Sequence, residues 1–154
     1  MLQQLYRDHA SDVLAFLTGL CRDPDLAEDL MQDTFVRATR SIGGYRGGDP
    51  RSWLFAIART TFLDDTRRRR PVPSSDLRDP GVRDPDAAEA HTVRATLARL
   101  PEPQRAALVL RDQLQLSTAE TAAALSRTEG ATRVLVHRAR AAFRELYARE
   151  GGRA

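Results

Sequence analysis

Residues 117–140, STAETAAALSRTEGATRVLVHRAR, constrain this chain more than any other stretch. They accommodate two short helices and a tight turn, and little else. Ser117 followed by Glu120 is a capping-box spacing: the hydroxyl can take one orphan backbone N–H while the carboxylate reaches back for another. Ala119, Ala122, Ala123 and Leu125 then offer a small apolar inner side suited to close packing. Ser126-Arg127-Thr128 breaks the run, and Ser126 or Thr128 can cap a second helix from about Glu129. On that helix Leu135, Ala139, Ala142, Phe143 and Leu146 recur at helical spacing and form an inward stripe. The opposite side carries Arg133, Val134, His137, Arg138, Arg140, Ala141 and Arg144. A packed back and a basic front behind a short capped helix is a helix-turn-helix pattern. An ordinary helical hairpin with a solvated charged face fits the same residues, and short patterns of this kind match falsely.

Charge separates the possibilities further. Every one of the 24 basic residues is arginine, and the net charge is only +3. Residues 1–66 hold seven arginines against ten acids, and residues 71–126 hold six against eight. Positive charge is confined to the run Arg67-Arg68-Arg69-Arg70 and to residues 127–154, where seven arginines face three acids. Two separate surfaces are thus suited to a polyanion, although a solvated basic face explains either patch alone. Cys21 is the lone cysteine, which excludes an intramolecular disulfide and a multi-cysteine zinc site. His9, His91 and His137 lack metal-ligand spacing, so no metal and no cofactor is expected. No apolar run is long enough for a membrane span, and no signal peptide opens the chain, so a cytoplasmic protein without membrane insertion is expected.

In chain order, Leu2, Leu5, Tyr6, His9, Val13, Phe16 and Leu17 form a helical stripe ending at Gly19. Asp23-Pro24-Asp25 opens a second helix, with proline in the first turn and acids at the positive end. Its apolar surface is Leu26, Ala27, Leu30, Met31, Phe35 and Val36; Glu28, Asp29, Gln32, Asp33 and Arg37 form a polar face whose acidic sign disfavours DNA. The segment SIGGYRGGDP sets Tyr45 and Arg46 among four glycines. An exposed loop of that kind can hold an unstacked base, or simply connect helices. Asp49-Pro50 starts the next helix, with Trp53, Leu54, Ile57, Ala58, Thr61 and Leu63 as core. Asp64 with Arg67 or Arg68 fits an ion pair along that helix. Residues 71–85 hold four prolines and no apolar period, and read as a flexible linker at a domain boundary. Asp86 opens a helix to Leu100, and Pro103 begins another with Ala106, Ala107, Leu108, Val109 and Leu110. The prediction is an all-α protein of two small helical domains: 1–70, the linker 71–85, and 86–154.

Three stretches in order resemble the small extracytoplasmic-function (ECF) sigma factors of bacterial RNA polymerase. DLAEDLMQDTFVRATR (25–40) looks like the core-binding helix of sigma region 2, and WLFAIARTTFLDDTRRRR (53–70) resembles the rest of that region. Residues 97–146, which include the helix-turn-helix, look like sigma region 4. The resemblance implies that Asp29, Gln32, Asp33 and Arg37 meet core RNA polymerase. It further implies that Tyr45 and Arg46 receive a flipped base of the −10 promoter element, with Arg59, Thr60, Asp64, Arg67 and Arg68 along that DNA. Arg133, Val134, His137 and Arg138 would enter the major groove at the −35 element, where arginine can pair with guanine and valine can meet a thymine methyl. Gln104, Arg105 and Ser117 would contact phosphate. An anti-sigma factor is a further implied partner.

The chain departs from the family pattern in places. Thr60 stands where asparagine is common, and Leu125-Ser126 replaces a frequent Leu-Gly. Val134 and Leu135 occupy positions often held by serine and arginine, which shifts the expected base readout toward Glu129, Thr132 and Arg133. A stand-alone helix-turn-helix regulator would account for residues 97–146 but give residues 25–40 and 53–70 no task. A metal-dependent nuclease built on Asp64 and Asp65 is disfavoured, because adjacent helical carboxylates diverge and no third ligand is evident. The expected function is promoter-directed initiation by binding, without catalysis.

Overall fold

A computed structural model describes residues 2–69 and 85–149 of the chain. Seven α-helices carry the described residues: α1 Leu2–Cys21, α2 Pro24–Ser41, α3 Pro50–Arg69, α4 Pro85–Arg99, α5 Glu102–Leu108, α6 Thr118–Leu125 and α7 Glu129–Arg149. A 3₁₀ turn, Ile42–Gly44, follows α2, and a π turn, Val109–Gln113, widens the end of α5. No strand occurs among the described residues. The expected linker lies outside them except for Pro85, which opens α4, and Arg70 also lies outside.

Helix starts follow the local chemistry. The Asp23 carboxylate accepts from the backbone N–H groups of Asp25 at 3.1 Å and Leu26 at 3.3 Å, with Pro24 in the first turn where no donor is missed. Asp49 does the same for α3, accepting from Arg51 N–H at 3.1 Å and from the Ser52 hydroxyl at 2.8 Å. At α6 both halves of the capping box form: Glu120 N–H donates to Ser117 Oγ at 3.0 Å, and Ser117 N–H donates to Glu120 Oε1 at 2.8 Å. That helix ends on Ser126 in the left-handed conformation, φ 56°, where glycine is the usual occupant. Arg127 N–H reaches Ala122 O and Ser126 N–H reaches Ala123 O, closing a Schellman turn. The Thr128 hydroxyl then accepts from Ala131 N–H and caps α7.

The core of the first half is formed by Val13, Phe16 and Leu17 of α1, Ala27, Leu30 and Ala38 of α2, and Leu54, Phe55 and Ala58 of α3. Phe16 and Phe55 meet edge to face with centroids 5.3 Å apart. Leu97, Leu100, Ala106, Ala107, Val109, Leu110, Leu116, Leu125, Val136 and Ala139 fill the second half. The two halves share one continuous apolar cluster: α1 lies against α4, α5 and the π turn, and α3 lies against α6. The approach is close at Gly19, where a Cβ would stand 2.8 Å from Cγ2 of Val109.

Two expected inner faces are rotated. On α6 the buried residues are Thr121, Ala122, Ala124 and Leu125, while Ala119 and Ala123 are exposed. On α7 the fully packed positions are Thr132, Val136 and Ala139, with Leu135, Ala142, Phe143 and Leu146 half-buried beside them. Phe55 and Phe62 of α3 are buried, and Trp53, expected in the core, is half-buried under the preceding loop.

Candidate nucleic-acid interface

The solvent side of α2 presents Glu28, Asp29, Gln32 and Val36, with Asp33 at its edge. Val36 is 47% exposed, an apolar spot on an acidic ground. Arg37 is not part of this free surface. Its Nη1 donates to Asp64 of α3 at 2.8 Å and its Nε lies 3.3 Å from Asp33, so it ties α2 to α3. The hydrogen bonds from Arg37 and Arg67 hold the Asp64 carboxyl below the usual carboxylate range.

The loop between α2 and α3 is shaped by glycine where the chain requires it: Gly47 and Gly48 adopt φ of 86° and 87°. The turn brings the Tyr45 hydroxyl to Gly48 O at 2.7 Å and the Tyr45 ring to 5.0 Å from Trp53. Arg46 stands exposed at the tip. Beside it a groove of about 470 Å³ runs between α2 and α3, lined by Arg37, Arg40, Ser41, Trp53, Ile57 and Thr60. Arg40 was absent from the expected site residues, yet it lies one α2 turn from Arg37 and on the same groove.

Along α3, Thr60 is exposed and its hydroxyl donates to Ala56 O at 3.0 Å. Arg67 pairs with Asp64, and Arg68 is exposed with a 3.5 Å contact to Asp64 O. Arg59 differs from its neighbours. Its Nε and Nη2 grip both oxygens of Glu102 on α5, at 2.9 and 2.8 Å. Asp64 and Asp65 each pair with an arginine, and no group of three metal-ligating side chains occurs among the described residues.

On α7, Arg133, Val134, His137 and Arg138 all project into solvent, Val134 being 49% exposed. Glu129 is exposed at the start of the helix. Thr132 is not available for base readout: it is fully buried and its hydroxyl donates to Thr128 O at 2.8 Å. Arg105 is likewise committed, donating to the carbonyls of Leu97 at 3.1 Å, Leu100 at 3.0 Å and Leu20 at 2.6 Å. Its burial lowers the guanidinium's affinity for its proton, as expected of a cation withdrawn from water. Gln104 is half-buried, with Oε1 enclosed and without a partner. Ser117 is exposed, but its hydroxyl is occupied by the α6 cap. Arg140, on the same helix, clamps α7 to the π turn through Asp112 at 2.5 and 3.1 Å. Cys21 donates to Asp23 O, and burial pushes its thiol up to about 11, so it is protonated at neutral pH.

Sigma-70 region 2 matches residues 5–72, and Sigma-70, region 4 matches residues 90–143. The ECF RNA polymerase sigma factor SigM of Bacillus subtilis is 30% identical over 156 residues, covering 96% of both chains. The chain belongs to the ECF sigma factors. SigM of Mycobacterium tuberculosis is 36% identical over 149 residues, covering 93% of this chain and 75% of its own. Among solved structures, the sigma factor RpoE of Bartonella quintana, in complex with the anti-sigma factor NepR, superimposes with a TM-score of 0.74. It has 28% identity and covers 94% of each chain. CnrH, in complex with the cytosolic domain of CnrY, gives 0.66 at 28% identity, covering 94% of this chain and 86% of its own. In this sigma factor, region 2 takes in α1–α3 with the glycine loop and the groove, while region 4 takes in most of α4 through the greater part of α7. No helix among the described residues is long and apolar enough to cross a membrane.

Proposed function

We propose that this sigma factor docks on core RNA polymerase through the exposed α2 face of Asp29, Gln32 and Val36, with Asp33 at its rim. Core polymerase and promoter DNA are its working partners, and initiation at specific promoters is its task. The mechanism is binding: region 2 holds the −10 element at Tyr45, Arg46, Thr60, Arg67 and Arg68, and region 4 reads the −35 element with α7. Polymerase fixes the spacing, so each DNA contact can be weak alone while the linked pair is selective. The proposed domain limits are 1–70 and 86–154, joined by 71–85, and an anti-sigma factor is the proposed inhibitor. The cytoplasm is the proposed compartment.

The observation that carries this reading is the outward row Arg133, Val134, His137 and Arg138 on a helix anchored behind a fully formed capping box. That row combines two guanidinium groups for guanine or phosphate, an imidazole, and a methyl-bearing side chain for thymine. Acidic residues on α2 suit a basic protein surface and repel DNA, which divides the labour between the two faces. Run-off transcription with purified bacterial core polymerase on fragmented genomic DNA tests it. New, specific start sites that move or vanish with Arg133→Ala support the reading. DNA binding without core, with no new transcripts when core is added, would leave a stand-alone regulator instead.

A further inference from the structure

We propose that the first turn of α7 is a cytosine-reading tip: Gly130 lets the helix end approach the floor of the major groove, and the Glu129 carboxylate there accepts from the N4 amino group of one cytosine. The inference rests on the proposed role of α7 at the −35 element and names one base that it selects. Neither residue is explained by the packing of the chain itself. Glu129 is exposed, and among the described residues its carboxylate has no ion pair and no hydrogen-bond partner. Arg133 lies one turn further on, in the order that favours a pair along a helix, yet the two do not pair. The other acid of α7, Glu145, does take its arginine, Arg149, at 2.6 Å. Gly130 has helical backbone, and a Cβ there would meet nothing within 4 Å. Glycine in such a place only enlarges the unfolded ensemble, so alanine would stabilise the chain. What the missing side chain does provide is room for another molecule against the helix backbone.

Position decides what that molecule meets. A recognition helix contacts base edges with its N-terminal residues, and the 3.6-residue period sets Gly130 on the outward face of Arg133, Val134 and His137. A carboxylate beside a phosphate is repelled, so Glu129 is left with the base edges. Guanine shows it the acceptors O6 and N7, and thymine shows it O4. Adenine sets its N6 amino group next to the N7 acceptor, which opposes the second carboxylate oxygen. Cytosine offers its N4 amino group with no acceptor of its own beside it. A wrong base leaves a desolvated charge unpaired, so the acid discriminates by rejection as much as by attraction. An acid in the first turn also favours the helix dipole, but that effect is indifferent to the base opposite.

Holoenzyme reconstituted with bacterial core polymerase tests the tip on a pool of templates that keep a start site found by run-off transcription and carry a randomised −35 element. Wild type, Glu129→Gln, Gly130→Ala and Gly130→Leu are compared by sequencing the templates that are transcribed. Wild type is expected to enrich a C·G pair at one position. Glu129→Gln should move that position alone toward A·T, changing the cytosine-to-adenine preference roughly tenfold, because glutamine pairs with N6 and N7 of adenine together. Gly130→Ala should melt about 2 °C higher than wild type. Transcript at limiting holoenzyme should nevertheless fall, roughly fivefold with Gly130→Leu and less with Gly130→Ala. A base preference that ignores residue 129, an equal change at every position with Glu129→Gln, or wild-type transcription by Gly130→Leu would overturn the tip. If no template is transcribed with any variant, the sigma reading falls, and the same pool is selected by binding to the chain without polymerase. A cytosine preference lost in Glu129→Gln then upholds the tip, and its absence from the wild-type selection overturns it.

Discussion

Arg37 Nη1 on α2 donates to Asp64 Oδ2 on α3 at 2.8 Å, joining two helices across 27 positions of sequence. Asp64 carries Arg37 on one oxygen and Arg67 on the other, so one carboxylate both fastens the helices and orients the head of the arginine run. Because its folded pKa is depressed below the ordinary 3.8, the stabilisation is fully present above that value and is lost as pH falls through the lower folded one. Acid titration followed by circular dichroism should show Asp64→Asn with a shallower acid limb than wild type. Arg37→Gln should lower the melting temperature yet leave core-polymerase affinity intact, whereas Asp29→Arg should do the reverse.

Arg105 offers a test of structure against resemblance. Three backbone carbonyls depend on it, and truncation leaves them unpaired at the junction of α1, α4 and α5. Arg105→Ala should destabilise the chain by about 3 kcal/mol in urea unfolding. The salt dependence of promoter binding by holoenzyme should stay as in wild type, since a phosphate contact removed would lower that slope by about one.

The α6 cap couples to α3. The Ser117 backbone N–H, followed by the Arg51 guanidinium, holds Glu120 at about 2 against an ordinary 4.5. Its contribution is complete above about 4.5 and disappears as pH drops toward about 2. Ser117→Ala should cost about 1 kcal/mol at neutral pH in denaturant unfolding. Glu120→Gln should weaken the chain at pH 7 and narrow the gap to wild type at pH 2.

Ser126 occupies a left-handed backbone position that disfavours any Cβ. Ser126→Gly should therefore raise stability by about 1 kcal/mol, the relief of strain outweighing the added freedom of the unfolded glycine. Differential scanning calorimetry would register it as a higher melting temperature.

What the sequence disclosed was local. Asp23-Pro24, Asp49-Pro50 and Ser117 with Glu120 act within three residues, so residue type and spacing decide them. The outward row of α7 was legible for the same reason, because 3.6-residue periodicity places Arg133, Val134, His137 and Arg138 away from Ala139. Thr132 escaped because a threonine that returns its hydroxyl to Thr128 O can sit in a core without an unpaired donor, and polarity alone hides that. Arg59 and Glu102 are 43 residues apart, and no periodic pattern links them. Arg105 looks like a surface cation until three helix ends converge on it. The π turn reflects the way Leu114 and Leu116 fold back onto Val109 and Leu110, a closure that propensity does not encode.

The loop of Tyr45 carries a last consequence. Its ring rests on Trp53, its hydroxyl is tethered to Gly48 O, and two glycines hold the bend, all before any ligand arrives. Loops that order only on contact subtract that ordering from their affinity, at about 0.5–1.5 kcal/mol for each rotamer-rich side chain fixed. Here the conformational entropy is surrendered when the protein folds. Under the proposed role of this loop in receiving a −10 base, capture would be governed by how fast the partner strand unstacks, and a pre-melted template should bypass the slow step.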